Sequence, residues 1–106
     1  MTMASNEDQY GTITDTKTDS DVKKPSMFRV ILHNDDITPR DFVITVLKKF
    51  FVKNDDSASM IMYAAHRNGH SLVALLTLEM AETKTQQALS YSRKHLYPLT
   101  FSIEEE

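Results

Sequence analysis

The spacing of hydrophobic and polar positions divides this chain into an unpatterned arm and a patterned remainder. Met27-Phe28-Arg29-Val30-Ile31-Leu32 is short, β-branched and aromatic, bounded by Pro25 and a polar cluster, and predicts a strand. Val43, Val46, Leu47 and Phe50 then recur at helical spacing, with Lys48 and Lys49 on the wet side. The start of this helix is read from Thr38 as N-cap, Pro39 as first helical residue and Asp41 as third. Proline there lacks only a donor that the helix would leave unpaired, and the hydroxyl and carboxylate can take other free N–H groups. Asn54-Asp55-Asp56-Ser57 opens a second helix, whose apolar face is Ala58, Ile61, Met62 and Ala65 and whose stop is Gly69. Leu72 to Leu78 is a nearly continuous apolar run and predicts a buried strand. Thr77 is placed to cap a third helix, with Glu79 and Glu82 near its positive end and Arg93 and Lys94 near its negative end. Ala81, Thr85, Ala88 and Leu89 give that helix a small-residue face suited to close packing on a sheet. Tyr97 to Ile103 alternates as a last strand. The order strand, helix, helix, strand, helix, strand predicts an α+β fold, a small sandwich of a three-stranded antiparallel sheet packed on three helices.

Residues 1–24 carry no such pattern. They hold seven Ser or Thr, five acidic residues and three lysines, with Ile13 and Val22 as the only branched aliphatics. Such a stretch does not bury enough apolar surface to offset the entropy of ordering it, so a disordered N-terminal arm over 1–24 and a core domain over 25–106 are expected. A chain of 106 residues fits one domain. The absence of cysteine excludes a disulfide scaffold and any cysteine zinc site. A net charge of −3 argues against nucleic acid as the main partner. No apolar run approaches the roughly 20 residues of a membrane span.

The chemistry concentrates in two places, His33-Asn34-Asp35-Asp36-Ile37-Thr38-Pro39 and His66. An amide, carboxylates and an imidazole, with no nucleophile elbow nearby, suit a site that grips a bound ammonium group. Carboxylate and amide oxygens accept its hydrogens, and a neutral imidazole accepts one more, whereas a protonated imidazole only donates. The metal alternative from His33, Asp35, Asp36, His66 and His70 is weak, because His66 and His70 straddle Gly69 and no HExxH spacing exists. Adjacent aspartates could serve acid–base chemistry, but such pairs in turns are more often capping or solvated groups. Read on their own residues, Asn34-Asp35-Asp36 defaults to a polar turn leading into the Thr38 cap, His66 to an ordinary helix-end imidazole, and Val43, Met62 and Ala65 to plain core.

A longer pattern favours the binding site. Pro25 to Leu32, Asn34-Asp35-Asp36 through Thr38-Pro39, Ala65-His66-Arg67-Asn68-Gly69 and Glu79-Met80-Ala81-Glu82-Thr83-Lys84 follow in an order and spacing that resembles the ClpS family of Clp protease adaptors over residues 25–104. The resemblance implies a non-enzymatic adaptor that binds proteins with a bulky hydrophobic N-terminal residue and delivers them to the Clp AAA+ protease. It implies Asn34, Asp35 and His66 as binders of the α-amino group. It implies a side-chain pocket of His33, Asp36, Thr38, Arg40, Val43, Met62, Ala65 and Leu99, and unfoldase docking through Glu79 and Lys84. The expected partners are the ClpA or ClpC unfoldase and N-degron peptides, with no cofactor, no metal, no nucleic acid and no membrane. The arm at 1–24 would engage the unfoldase pore, and the setting would be a bacterial cytoplasm rather than a plastid.

Arg40 departs from the methionine common at its position in bacterial relatives. A guanidinium stacks on aromatic faces and disfavours dry aliphatic contact, so Phe, Trp and Tyr are expected over Leu. Ala65, where valine is common, enlarges the pocket in the same direction. A second reading is a non-catalytic docking module, since the element order is also similar to that of the C-terminal domain of the ribosomal stalk protein.

Overall fold

A computed structural model describes residues 25–106; the arm expected over 1–24 lies outside the described residues. The elements are β1 (Met27–His33), α1 (Arg40–Phe51), α2 (Asp55–Asn68), β2 (His70–Thr77), α3 (Leu78–Lys94) and β3 (Thr100–Glu105). All strand pairs are antiparallel, in the order β2-β1-β3. The fold class and element order are those that the hydrophobic pattern predicts.

The helices cover one face of the sheet. Val30, Leu32, Val43, Val46, Leu47, Phe51, Ala58, Met62, Ala65, Val73, Ala81, Ala88 and Leu99 form a continuous buried core. Ala81, Thr85, Ala88 and Ser92 are the buried face of α3, small enough to bring its backbone close to its neighbours. Leu89, expected on that face, is only half-buried. An aromatic group missed by the helical count fastens α1 to the end of α3: Phe42 stacks on Tyr91 at 5.6 Å and meets the Tyr97 ring at 4.6 Å.

Three boundaries differ from expectation, each for a local reason. The first helix begins at Arg40, with Pro39 as N-cap and no side-chain cap. Thr38 sits one residue too early to cap it, and its hydroxyl donates to Asp35 Oδ2 instead. The Pro39 carbonyl accepts from both Phe42 and Val43 N–H. The second strand is His70–Thr77, with Leu78 already in α3, and it is not buried on both sides. Leu72 and Leu75 are 52% and 41% exposed on the open face. The apolar run looks continuous because a bulge opposite Val30 and Ile31 adds Val73 to the strand, which turns Val73 and Ala74 inward in succession. The last strand starts at Thr100 rather than Tyr97. Leu96 turns the chain with φ +66°, and the Arg93 guanidinium takes the Tyr97 and Leu99 carbonyls at 2.8 and 2.9 Å. A side chain thus satisfies groups that would otherwise seek a ladder partner.

At the second helix the sequence reading and the geometry agree. Asn54 caps it, its side chain accepting from Ser57 N–H at 2.8 Å. Gly69 closes it at φ +89°, where any side chain would strain the backbone. The Gly69 carbonyl then accepts from Asn34 N–H at 3.0 Å. That bond ties the end of α2 to the loop after β1, and it brings the two polar motifs of the sequence together.

Candidate functional site

The loop from Asn34 to Pro39 is built around one carboxylate. Asp35 Oδ1 accepts from Ile37 N–H at 2.9 Å and Thr38 N–H at 2.6 Å, and Oδ2 accepts from the Thr38 hydroxyl at 2.9 Å. This is an Asx-type turn, in which a short acidic side chain replaces a backbone partner. A carboxylate has about four acceptor positions, so the turn leaves Asp35 capacity for one further donor. Asp35 is half-buried, whereas Asn34 and Asp36 are exposed.

The loop forms one rim of a cavity of about 280 Å³. Every residue expected at the site borders it: Asn34, Asp35 and His66, with His33, Asp36, Thr38, Arg40, Val43, Met62, Ala65 and Leu99. Val43 from α1, Met62 and Ala65 from α2, and Leu99 from the segment before β3 are all buried and also belong to the core. The cavity is thus an opening in the core, with apolar walls and a polar rim. His33 lies at the end of β1, its Nε2 held 2.7 Å from Ser102 Oγ on β3.

Three lining residues were not anticipated: Leu32, Ile37 and Pro39. Ile37 is 70% exposed, and a lone aliphatic in a polar turn is the signal that could have marked it. Glu79 and Lys84 do not line the cavity; Glu79 lies exposed in the first turn of α3 and Lys84 half-buried one turn further.

Arg40 reaches across the mouth from α1 to α2. Its Nη2 lies 3.0 Å from His66 Nε2, and its guanidinium carbon stands 5.5 Å from the centroid of the Tyr63 ring. A guanidinium only donates, so His66 Nε2 is the acceptor and the neutral ring carries its proton on Nδ1. His66 and His70 belong to different elements, and no group of three or more His, Asp or Glu among the described residues is placed to hold a metal ion.

Residues 23–102 match the family model described as ATP-dependent Clp protease adaptor protein ClpS. The chain belongs to the ClpS family. A ClpS adapter protein from Parvibaculum lavamentivorans is 44% identical over 91% of this chain and 87% of its own length. One from Brucella canis is 40% identical over 99% of this chain and 90% of its own. Among solved structures, Agrobacterium tumefaciens ClpS2 bound to L-phenylalaninamide is similar with a TM-score of 0.76 and 38% identity, covering 78% of this chain and all of the other. By family, therefore, this is an adaptor of the Clp protease, and these relatives are bacterial. Among the described residues no helix is long and apolar enough to cross a membrane.

Proposed function

We propose that the cavity receives the first residue of a polypeptide with a free N-terminus, and that the domain delivers such chains to a Clp unfoldase, ClpA or ClpC, in the bacterial cytoplasm. The observation that carries this reading is the division of one cavity into an acceptor rim and an apolar interior. Asp35 offers charge and one unused acceptor position, Asn34 an amide oxygen and His66 an imidazole. L-Phenylalaninamide, the ligand of the Agrobacterium relative, combines a free α-amine with a phenyl group, the pair of features this cavity suits.

Size agrees. An apolar cavity of about 150 Å³ holds benzene, so about 280 Å³ leaves room for a large aromatic side chain and its α-carbon. Burying a Phe-sized group contributes about 1.5–3 kcal/mol. Each charge-assisted hydrogen bond to the ammonium adds about 1.5–3 kcal/mol. These gains are opposed by lost translational and rotational freedom, and a micromolar to sub-micromolar affinity is expected, where micromolar is about −8.2 kcal/mol. The guanidinium of Arg40 at the mouth favours Phe, Trp and Tyr over Leu, since a cation gains from an aromatic face and not from an aliphatic one.

Fluorescence anisotropy with short peptides tests the reading. A Phe-starting peptide binds. Its N-acetylated twin, which has lost the charge and two donor hydrogens, binds roughly 100-fold more weakly or worse. Leu- and Val-starting twins bind more weakly than Phe. Equal binding of the acetylated peptide would refute amine recognition and favour the docking-module reading; equal binding of the Leu peptide would refute the aromatic bias alone.

Docking on the unfoldase is assigned to Glu79 and Lys84, which stand outside the cavity. Glu79→Ala together with Lys84→Ala should weaken co-purification with the unfoldase N-terminal domain while leaving peptide anisotropy unchanged. A fall in both, or in neither, would argue against these two residues as the contact.

A further inference from the structure

The Arg40 guanidinium makes two contacts, and only one is with a residue expected at the site. Its edge donates to His66 Nε2, and its carbon lies 5.5 Å from the ring centroid of Tyr63, one turn earlier on the same helix. Tyr63 is 44% exposed, does not line the cavity, and belongs neither to the buried core nor to the hydrophobic residues packed against it.

The chemistry at His66 gives the second contact a role. Guanidinium and ammonium are both pure donors, so Arg40 and a bound α-amine compete for the one lone pair at Nε2. Nδ1 offers no substitute, because in the neutral ring it carries the proton. An arriving amine that uses His66 must therefore displace Arg40 from it. An arginine side chain has many rotamers, and a displaced guanidinium with no other partner would disperse into water. The Tyr63 ring supplies that other partner.

We propose that Tyr63 is a positioning residue for Arg40: it keeps the guanidinium over the cavity mouth once His66 has turned to the amine, and thereby sustains the preference for aromatic first residues. This rests on the amine-binding reading above. With one face on Tyr63, the guanidinium presents its other face to the entering side chain. An aromatic ring gains from that face, whereas an aliphatic group meets a charge without compensation. Without Tyr63 the guanidinium leaves the mouth, and the discrimination goes with it.

The test is the ratio of Kd for Leu- and Phe-starting peptides, measured by anisotropy in the parent, Tyr63→Ala, Tyr63→Phe, Arg40→Ala and Tyr63→Ala/Arg40→Ala, with thermal melts to confirm folding. An exposed cation–π contact corresponds to roughly a two- to fivefold effect, so Tyr63→Ala should lower the parent ratio by about that factor. Tyr63→Phe keeps the ring and should keep the ratio. In the Arg40→Ala background, adding Tyr63→Ala should change nothing. A ratio unmoved by Tyr63→Ala, or moved equally with and without Arg40, overturns the proposal. So does a parent that binds Phe and Leu peptides alike. Failure of the parent to bind the Phe peptide at all would instead overturn the amine-binding reading.

Discussion

Asp35→Asn is expected to yield a domain that melts close to the parent yet has lost most of its grip on a free amino group. The asparagine oxygen can still accept from Ile37 and Thr38 N–H, as Asp35 Oδ1 does now. Its NH2 group can donate to the Thr38 hydroxyl oxygen, reversing the sense of a bond that Asp35 Oδ2 now accepts. The turn survives. The charge does not, and the NH2 now faces an ammonium donor with another donor. Loss of one hydrogen bond to a charged group is about 1.5–3 kcal/mol, or roughly a 10- to 100-fold rise in Kd for a Phe-starting peptide. Asp35→Ala should do both kinds of damage. It removes all three hydrogen bonds of the turn, so a stability loss of about 2–3 kcal/mol accompanies the loss of binding. Anisotropy and thermal denaturation on the pair separate the two roles. An Asp35→Asn domain that binds as tightly as the parent would show that the carboxylate only shapes the loop.

Leu47→Ala carries the second large effect. Leu47 is fully buried near the middle of α1, one turn beyond the cavity-wall residue Val43. Truncation of a buried leucine costs about 2–5 kcal/mol, depending on how far the surroundings collapse into the space. A domain of this size has only about 0.05–0.15 kcal/mol per residue in hand. A fall in Tm of roughly 10 °C or more is expected. Peptide affinity should fall as well, since the helix that carries Val43 and Arg40 loses one of its fully buried anchors. The neighbouring Lys48→Ala serves as control. Lys48 is exposed and, among the described residues, paired with the exposed Asp55, so its removal should stay within about 1 kcal/mol. A mild Leu47→Ala phenotype would mean that α1 is held mainly by the Phe42, Tyr91 and Tyr97 rings.

Helices were legible wherever an apolar stripe met a capping signal, as in α2 between Asn54 and Gly69. Legibility failed where one side chain was claimed by two neighbours. Thr38 has the chemistry of a helix cap, but Asp35 lies three residues before it and takes its hydroxyl, an outcome no helical rule weighs. Tyr97 to Leu99 alternate as a strand would, but Arg93 captures their carbonyls from the preceding helix. The bulge at Val73 defeats a strict period of two for the same underlying reason: register belongs to the pair of strands and not to one of them. The cavity was legible for another reason. Its rim residues are polar where a core should be apolar, and a family pattern named the rest. Tyr63 escaped, because nothing in its own helix distinguishes it from an ordinary exposed aromatic until Arg40 is seen to lie over it.

The walls of the cavity are the walls of the core, since Val43, Met62, Ala65 and Leu99 serve both. A guest side chain would thus act as the last residue of its host's interior, contributed by another polypeptide. Occupancy and folding then become a single linked equilibrium. A ligand present at 100 times its Kd adds about 2.7 kcal/mol to the stability of the whole domain. For a domain this small that is a sizeable share of its total, so an adaptor loaded with cargo resists unfolding better than an empty one. On the proposed reading, the unfoldase that receives the cargo would meet the sturdier form when there is cargo to hand over and the weaker form when there is none.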